Sequence, residues 1–373
     1  MKFFFLAMML AYLAGNVYIY IKVLYVLSAL PSGYKILVSI LFWILASSLF
    51  ISLFTRDVTF TLGLSKFLYT AGSSWMVFTL YMVIALIFID IVRLCIPNFA
   101  PFVAKYGFSI AAGFVLLILA YGYYNYKNPK INKINIMAEK NASHDIIKIV
   151  AVSDVHLGNG TGKKQLGKYV ELINAQKPDL ILIAGDLIDN SVTPLYRENM
   201  AEELNRLDAP MGIYMVPGNH EYISGISKVE EFLKNTPIRL LRDTVVTLPC
   251  GTTSGYGITI IGRDDRFNRN RKSLEELMAG VNHSNFTDIL LDHQPYELAK
   301  TDSLGIAIQV SGHTHRGQVW PLNWLTDNLY EQSHGYRKWQ NSHIYISSGL
   351  SLWGPPFRIG TESEIVVLCL TAS

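Results

Sequence analysis

The stretch "GIAIQVSGHTHRGQ" (residues 305–318) joins a run of apolar and β-branched residues to two histidines that stand one residue apart. A short apolar run of this kind is typical of a strand that is buried on both faces. Side chains alternate with a period of two along a strand, so His313 and His315 should point to the same side. The glycines around them let the backbone turn tightly and approach a ligand. We therefore expect a functional site at the end of this strand.

Four other apolar runs also end in polar side chains. The runs "IIKIVAVSD", "DLILIAGD", "GIYMVPGNHE" and "TDILLDHQP" each predict a strand. The polar residues that follow them are Asp154, His156, Asp186, Asn219, His220, Glu221 and His293. Helical spacing over Gln165–Gln176 and Leu195–Leu207 separates some of the strands, and further strands are predicted at "YGITIIGRDD", "HIYISSGL" and "EIVVLCL". This pattern indicates an α/β domain with a mixed sheet or two stacked sheets.

The polar residues at the strand ends have the chemistry of a metal site. In open α/β sheets, ligands bind beyond the carboxyl ends of the strands, so these side chains can converge although they are distant in sequence. A set of Asp, Asn and His without Cys suits Zn, Mn, Fe or Ni rather than Ca. There are too many ligands for one ion, and they suit two ions with one bridging carboxylate. Two ions about 3.5–4 Å apart activate a water molecule as hydroxide for in-line attack on phosphorus.

The N-terminal third of the chain has a different composition. Of the 373 residues, 50% are hydrophobic and 16% are charged. The charged residues are unevenly distributed, and few of them lie before Lys127. Four apolar runs cover Phe3–Ile21, Ile36–Phe54, Trp75–Val92 and Phe108–Tyr124. Each approaches the roughly 20 residues that a helix needs to cross a bilayer. A signal peptide would explain the first run alone, but not the runs that follow it. The sequence predicts about four transmembrane helices, with three or five as alternatives.

The charged residues add weaker indications. An even number of spans places both termini on one side, and basic residues are slightly more numerous on that side, which favours cytoplasmic termini. Asp90 and Arg93, near the end of the third run, predict an ion pair at the membrane interface. A net charge of +3 is too small to indicate a nucleic-acid partner. Cys95, Cys250 and Cys369 are scattered and indicate no disulfide framework.

These patterns predict three parts of the chain. Residues 1–126 form an all-α transmembrane region, and residues 145–373 form the α/β domain. Between them, residues 127–144 are polar and rich in Lys and Asn, which predicts a linker.

The strand-end motifs resemble those of a known family. "SDVHLG", "GDLID", "GNHE", "LLDHQP" and "SGHTHRGQ" resemble the calcineurin-like metallophosphoesterases, from about Asp145 to the C-terminus. "GRDD" (262–265) and "SSGLSLWGPPFRIGTESEI" resemble the membrane-anchored bacterial branch of that family, which includes pyrophosphatases acting on UDP-2,3-diacylglucosamine. The resemblance implies an α/β/β/α sandwich with a dinuclear metal centre, and it says nothing about the role of four spans.

The resemblance also implies roles for individual residues. One ion would be held by Asp154, His156, Asp186 and His315, and the other by Asp186, Asn219, His293 and His313. The implied catalytic residues are Asp186, Asn219 and His220. His220 would stabilise the transition state or protonate the leaving oxygen, with Glu221 or Asp189 orienting it. The two divalent ions would be Mn²⁺, Zn²⁺ or Fe.

Contacts to the substrate are harder to predict. Arg263, Arg266 and Arg316 are candidates for holding the charge that develops on phosphorus. Trp320 and Trp324 lie in the apolar segment "VWPLNWLTDNLY" (319–330), which forms either an exposed surface for a lipid or a buried lid.

The predicted function is hydrolysis of a phosphoester or pyrophosphate bond by metal-activated hydroxide, in a lipid-linked substrate at the bilayer. The predicted location is the inner membrane of a bacterium, with several spans and a cytoplasmic catalytic domain. One alternative is a membrane-tethered phosphodiesterase or phosphatase for a soluble nucleotide or phosphoprotein. The other is a metal-binding sensor without catalytic activity.

Overall fold

The computed structural model describes residues 2–54, 62–138, 146–249, 257–279, 281 and 286–372. The chain forms two compact units. The helical unit comprises Met1–Tyr124 and Gly354–Phe357, and the second unit comprises Asn125–Trp353 and Arg358–Ser373. Cys250 and residues 139–145, which include the end of the predicted linker, lie outside the described residues.

Four long helices account for most of the helical unit. They are α1 (Lys2–Val26), α2 (Ser32–Phe54), α3 (Leu62–Cys95) and α4 (Ala100–Lys127), with a short 3-10 helix at Pro97–Phe99. All four are long and apolar enough to cross a membrane. Their large apolar side chains are widely exposed, for example Phe54 at 87% and Leu94 at 80%. Because water would not tolerate so much exposed apolar surface, the predicted set of four membrane helices is confirmed.

Polar side chains inside the helical unit bond to one another. Asn16 of α1 is fully buried and accepts hydrogen bonds from Trp75 Nε1 (2.8 Å) and Thr79 Oγ1 (3.4 Å) of α3. Asp90 of α3 was predicted to pair with Arg93, but its salt bridge is formed with Lys22 of α1 at 2.7 Å. The partner could not be read from the sequence, because α1 and α3 are distant along the chain.

The second unit contains two six-stranded sheets. The first sheet has the order β1-β12-β2-β3-β4-β5, and the second has the order β10-β11-β9-β8-β7-β6. The strands are β1 (Lys130–Ala138), β2 (Ile147–Val152), β3 (Leu180–Ala184), β4 (Ile213–Val216), β5 (Ile238–Leu240), β6 (Thr244–Pro249), β7 (Gly257–Gly262), β8 (Phe286–Leu291), β9 (Ile308–Ser311), β10 (Gly335–Lys338), β11 (His343–Ile346) and β12 (Glu364–Ala372).

Short helices connect and cover these strands. They are α5 (Lys163–Asn174), α6 (Thr193–Arg197), α7 (Ala201–Leu204), α8 (Asn219–Ser224), α9 (Ile226–Leu233), α10 (Leu274–Met278), α11 (Leu298–Ser303) and α12 (Leu322–Leu329), with a 3-10 helix at His315–Gly317. The helix predicted over Leu195–Leu207 is therefore wrong as a single element. It is divided into α6 and α7 because Asn199 adopts a left-handed backbone conformation with φ 51°.

The core shows how the layers stack. Alternate residues of β2 face opposite sides, with Ile149 packing between the sheets and Val150 packing against helices. The layer between the sheets contains residues of both, such as Leu182 of β3 and Ile260 of β7. Helices α5 and α9 cover the outer face of the first sheet, and α10 covers the outer face of the second. The predicted α/β/β/α sandwich is confirmed.

The predicted linker is wrong over half of its length. Lys130–Ala138 forms the edge strand β1, which pairs in parallel with β12 from Lys130↔Glu364 to Ala138↔Ala372. An edge strand needs only one buried face: Ile136 and Asn132 lie on that face, where Asn132 donates to Tyr345 Oη at 3.1 Å, while Lys133 and Asn135 are exposed on the other. The Lys and Asn residues that resemble a linker are the polar positions of this strand.

Candidate metal centre

Five strands deliver the predicted ligands to one place. Asp154 and His156 follow β2, Asp186 follows β3 and Asn219 follows β4, all in the first sheet. His293 follows β8 and the pair His313 and His315 follows β9 in the second sheet. The site therefore lies at the carboxyl ends of parallel strands from both sheets, where α/β folds bind their ligands.

One group of donor atoms consists of Asp154, His156 and His315. The Nε2 atoms of His156 and His315 are 3.0 Å apart. Asp154 Oδ1 is 3.3 Å from His315 Nε2 and 3.8 Å from His156 Nε2. Two imidazole nitrogens and a carboxylate oxygen thus converge on a volume the size of one metal ion.

A second group surrounds Asp186. Its Oδ2 atom is 3.1 Å from His293 Nε2, and His313 belongs to the same cluster. Asn219 joins the cluster because its Oδ1 atom lies 2.8 Å from His313 Nδ1. Asp186 Oδ2 is also 3.9 Å from His156 Nε2 of the first group. Asp186 therefore lies between the two groups, as a bridging carboxylate must.

The protein does not satisfy these donors by itself. His293 Nε2 is buried and has no hydrogen-bond partner within the described part of the chain. Its other nitrogen, Nδ1, lies 2.7 Å from the carbonyl oxygen of Ala184, so Nε2 is the nitrogen that faces the Asp186 carboxylate. Buried polar atoms are normally paired, so this atom and its oxygen and nitrogen neighbours fit a divalent cation.

Burial lowers the pKa of each of these histidines, and neighbouring carboxylates oppose this effect to different extents. Burial, and then the charge of His293, lowers the pKa of His313 to about 4. Burial also holds the pKa of His315 well below its usual range. Burial opposes protonation of His156 too, but hydrogen bonds to Asp154 and Asp189 raise its pKa to about 10. His313 and His315 are therefore neutral and ready to bind a metal, whereas His156 must release a proton first.

The backbone of the site is strained. Five of the predicted ligands have positive φ angles, at Asp154, His156, Asp186, His313 and His315. This conformation is uncommon for residues other than glycine and concentrates at functional sites, where the surrounding fold must hold it. The strain was not predicted from the sequence, because no residue type demands it.

Two glycines permit the close approach of the ligand loops. A Cβ atom on Gly312 would lie 2.3 Å from Asp154 Oδ2, and one on Gly218 would lie 2.2 Å from Asp186 Oδ1. Real Cβ atoms do not approach so closely, so both positions require glycine.

His220 lies against the metal ligands. Its backbone N–H donates to Asp186 Oδ1 at 2.9 Å, and its ring is 4.6 Å from the ring of His156. Its Nδ1 atom is 2.9 Å from the carbonyl oxygen of Asp189. Burial opposes protonation, but the charge of Asp186 and the contact with Asp189 raise the pKa of His220. One ring nitrogen is therefore held by Asp189, and the other can serve a substrate.

The orienting partner of His220 is Asp189 rather than Glu221. The Glu221 carboxylate accepts hydrogen bonds from the backbone N–H groups of Asp186 (2.9 Å), Gly218 (2.7 Å) and Ile188 (2.9 Å). Glu221 therefore ties together the loops after β3 and β4. Burial and the charge of Asp186 raise the pKa of Glu221 to about 7.

Arg358 supports the site, although the sequence did not single it out. This fully buried guanidinium donates to the carbonyl oxygens of His315 (3.0 Å) and Ser351 (2.6 Å). It holds the strained His315 loop against the loop that precedes β12. Its segment resembled the family, but no spacing rule connects Arg358 to His315.

The three arginines predicted to contact the substrate differ in whether they are paired or accessible. Arg263 is buried and paired with Asp292 (3.1 Å) and Glu297 (2.9 Å), so it is not available as the substrate contact that the sequence predicted. Arg266 is exposed and lies over the ring of Tyr296 at 4.2 Å. Arg316, beside His315, is half-buried, and its Nε atom has no hydrogen-bond partner among the described residues.

The apolar segment after the histidines is an exposed helix. Trp320 and Trp324 pack edge to face with ring centroids 5.4 Å apart, and both remain partly exposed. The other exposed apolar residues on or beside α12 are Leu322, Leu325 and Leu329. The alternative of a buried lid is therefore wrong. These five residues are called the α12 apolar surface below.

Comparison with known proteins decides the family. The family model for calcineurin-like phosphoesterases matches residues 147–317. An uncharacterized metallophosphoesterase of Helicobacter pylori is 34% identical over 268 residues, which cover 69% of each chain. The chain belongs to the calcineurin-like metallophosphoesterase family.

Other metallophosphoesterases show the same similarity. A transmembrane protein with a metallophosphoesterase domain from Danio rerio is 30% identical, over 70% of this chain and 62% of that protein. An uncharacterized metallophosphoesterase of Bacillus subtilis is 28% identical, over 71% of this chain and 94% of that protein. The family match and the candidate metal ligands identify the chain as a metal-dependent phosphoester hydrolase. The four long apolar helices indicate that it is bound to a membrane.

Proposed function

We propose that this metallophosphoesterase holds two divalent ions and hydrolyses a phosphoester or pyrophosphate bond in a lipid-linked substrate. The position of Asp186 between two donor groups supports the dinuclear centre. The α12 apolar surface beside the ligand loop carries the proposal of a lipid-linked substrate. The ions we propose are Mn²⁺, Zn²⁺ or Fe, which this oxygen and nitrogen donor set accepts.

The ligand sets follow the two groups of donors. Asp154, His156, Asp186 and His315 would hold one ion, and Asp186, Asn219, His293 and His313 would hold the other. Such ions supply Lewis-acid stabilisation of phosphoryl oxygens and an activated water for in-line attack.

The protein residues around the ions complete the reaction. His220 donates a proton from Nε2 to the leaving oxygen, because Asp189 holds Nδ1 and its raised pKa favours the protonated form. Arg316 follows His315 directly, and its guanidinium would bind a non-bridging phosphoryl oxygen. The Asp186 carboxylate fixes the position of the His220 backbone by accepting a hydrogen bond from the His220 N–H group.

The α12 apolar surface is attached firmly to the metal loop. A Cβ atom on Gly317 would lie 2.4 Å from the carbonyl carbon of Leu322, so the loop and α12 pack without a gap. At the other end of α12, the ring of Tyr330 is 6.4 Å from that of His313. An exposed surface of Trp and Leu at this position suits the acyl chains of a lipid whose phosphate reaches the metals.

The hydrolase is tested with p-nitrophenyl phosphate and bis-p-nitrophenyl phosphate, using full-length protein in detergent with Mn²⁺. We expect turnover that depends on the metal and is lost in Asp186→Asn and His220→Ala. Metal binding without turnover on these esters or on a panel of lipid phosphates would favour the non-catalytic sensor.

Lipid docking is tested by changing the α12 apolar surface. Trp320→Ser with Trp324→Ser should lower activity on a micellar lipid phosphate by at least about tenfold, because two aromatic anchors are lost. Activity on bis-p-nitrophenyl phosphate should be retained. Tyr196→Ser, which removes an exposed aromatic residue on α6, is the matched control. Equal losses on both substrates would contradict lipid docking and favour a soluble nucleotide or phosphoprotein.

We also propose that the protein lies in the inner membrane of a bacterium with its termini and catalytic unit in the cytoplasm. The slight excess of basic residues on the side of the termini supports this orientation. A C-terminal green fluorescent protein should fluoresce, and a C-terminal alkaline phosphatase should be inactive. The opposite pair of results would place the catalytic unit outside the cytoplasm.

A further inference from the structure

The loop between β7 and α10 carries four arginines, of which two are neutralised by carboxylates. The loop reads "RDDRFNRNRK" (residues 263–272). Arg263 and Arg271 both pair with Asp292, at 3.1 Å and 3.2 Å. Arg266, in contrast, is exposed and has no carboxylate within 4 Å among the described residues. Its charge is therefore available to a ligand.

The backbone on both sides of Arg266 is fixed. Asp264 accepts hydrogen bonds from Tyr222 Oη (2.6 Å) and Arg242 Nε (3.0 Å). Asp265 is fully buried and accepts from the backbone N–H of Phe267 at 2.9 Å. A cation on a loop held in this way pays little ordering entropy when it binds a ligand.

The position of Asp265 also connects this loop to the metal centre. Its Oδ2 atom accepts a hydrogen bond from Gln294 Nε2 at 2.9 Å, and Gln294 follows the predicted ligand His293. The loop is therefore fastened to the segment that carries a metal ligand.

Aromatic rings link Arg266 to the metal centre from a second direction. The guanidinium lies 4.2 Å from the ring centroid of Tyr296, which is 5.3 Å from that of Tyr330. The ring of Tyr330 is in turn 6.4 Å from the ring of His313. Arg266 thus stands on the His313 side of the site, beyond two tyrosines whose hydroxyl groups can donate hydrogen bonds.

We propose that Arg266, Tyr296 and Tyr330 form a subsite for a second anionic group of the substrate. The scissile phosphate would occupy the metal centre, so this assignment rests on the proposed function. The hydroxyls of Tyr296 and Tyr330 are hydrogen-bonded to each other, which leaves one O–H group of the pair to donate to a ligand. A guanidinium and a phenol hydroxyl suit the oxygens of a second phosphate, which an arginine can bind with two N–H groups. The substrate class would then be a diphosphorylated compound rather than a simple monoester.

Arg269 provides a matched control. It is exposed on the same loop, but no ring contact connects it to Tyr296 or to the metal ligands within the described residues. A general effect of positive charge would involve both arginines equally, whereas a defined subsite involves Arg266 alone.

The test measures binding and does not require turnover. Full-length protein loaded with Mn²⁺ is titrated in a calorimeter with alkane diphosphonates of two to four carbons and with the matching alkyl monophosphonates. We expect the best diphosphonate to bind at least about tenfold more tightly than its monophosphonate. Chelation of the metals by the diphosphonate is common to all variants and cancels between them.

Arg266→Gln should lower the preference for two phosphonates at least about tenfold relative to the wild type, and Arg266→Lys should restore part of it because it keeps the charge. Arg269→Gln should behave as the wild type. The proposal is overturned if the wild type shows no preference, if Arg266→Gln retains it, or if Arg269→Gln loses it to the same extent. Hydrolysis of bis-p-nitrophenyl phosphate by the wild type tests the proposed function separately, so the two ideas can fail independently.

Discussion

The two units of this protein treat buried polar groups in opposite ways. In the helical unit, the buried Asn16 and the partly exposed Asp90 find partners on another helix, and their hydrogen bonds join α1 to α3. In the phosphoesterase unit, His293 Nε2 is buried next to Asp186 and makes no hydrogen bond among the described residues. A satisfied polar group stabilises packing, whereas an unsatisfied one inside a cluster of possible metal ligands is available for chemistry. The predictions below rest on this difference.

The largest effect is expected where the two ligand loops touch. Gly312→Ala would place a Cβ atom 2.3 Å from Asp154 Oδ2, so the loop or the carboxylate must move. A displacement of about 1 Å in a catalytic site costs about a hundredfold in rate. We expect a loss of that size in kcat/KM for bis-p-nitrophenyl phosphate, together with weaker metal binding.

Gly167→Ala is the control for that substitution. It lies on α5, where the nearest atom to a new Cβ is the flexible end of Glu203 at 3.2 Å. Alanine there should leave activity unchanged and favour the helix by about 1 kcal/mol. If Gly312→Ala were equally harmless, the close approach of the loops would not be needed.

Arg358 should affect metal binding without touching the metal. Arg358→Gln removes donors to the carbonyl oxygen of His315, and the loss of a supporting contact typically weakens metal affinity 10- to 100-fold, as an order of magnitude. We expect a fall of about that size in a Mn²⁺ titration, with partial rescue by Arg358→Lys. A lower melting temperature with unchanged metal affinity would show that Arg358 only stabilises the fold.

Metal removal should have a reversible effect on the stability of the folded state. A metal present at a hundredfold excess over its Kd stabilises the folded state by about 2.7 kcal/mol. Chelation should therefore lower the melting temperature of the phosphoesterase unit, and Mn²⁺ should restore it. The same treatment of Asp186→Asn should change the melting temperature by less, since the bridging ligand is weakened.

The smallest effect is expected in the helical unit. Asn16→Leu leaves Trp75 Nε1 without its acceptor, and such interhelical bonds contribute about 0.6–2 kcal/mol. We expect slightly easier unfolding of the protein in detergent, with no change in hydrolysis of a soluble ester. A large loss of hydrolysis would mean that the polar groups of the helices also serve the reaction, which would weaken the contrast between the units.

Much of the fold and the positions of the candidate site residues could be predicted from the sequence, because they depend on local patterns. Long apolar runs specify membrane helices, and polar residues after apolar strands specify a site whose parts converge through the sheet. The convergence of the candidate ligands, including His313 and His315, could therefore be predicted from the sequence.

The remaining features depend on contacts between distant parts of the chain. The strand β1 resembled a linker because an edge strand has one polar face. Arg263 was predicted to contact the substrate, but it pairs with Asp292 and Glu297, which are distant from it along the chain and are brought to it by the fold. The sequence could not decide whether Asp189 or Glu221 contacts His220, because this depends on the conformation of the loops.

The most direct test of the account is the metal content of the protein. Full-length wild type and Asp186→Asn are loaded with Mn²⁺, freed of unbound metal and measured by mass spectrometry against protein concentration. The account predicts two ions per wild-type chain and at most one in Asp186→Asn, because this carboxylate lies between both donor groups. One ion in the wild type, or two ions in Asp186→Asn, would contradict a dinuclear centre bridged by Asp186.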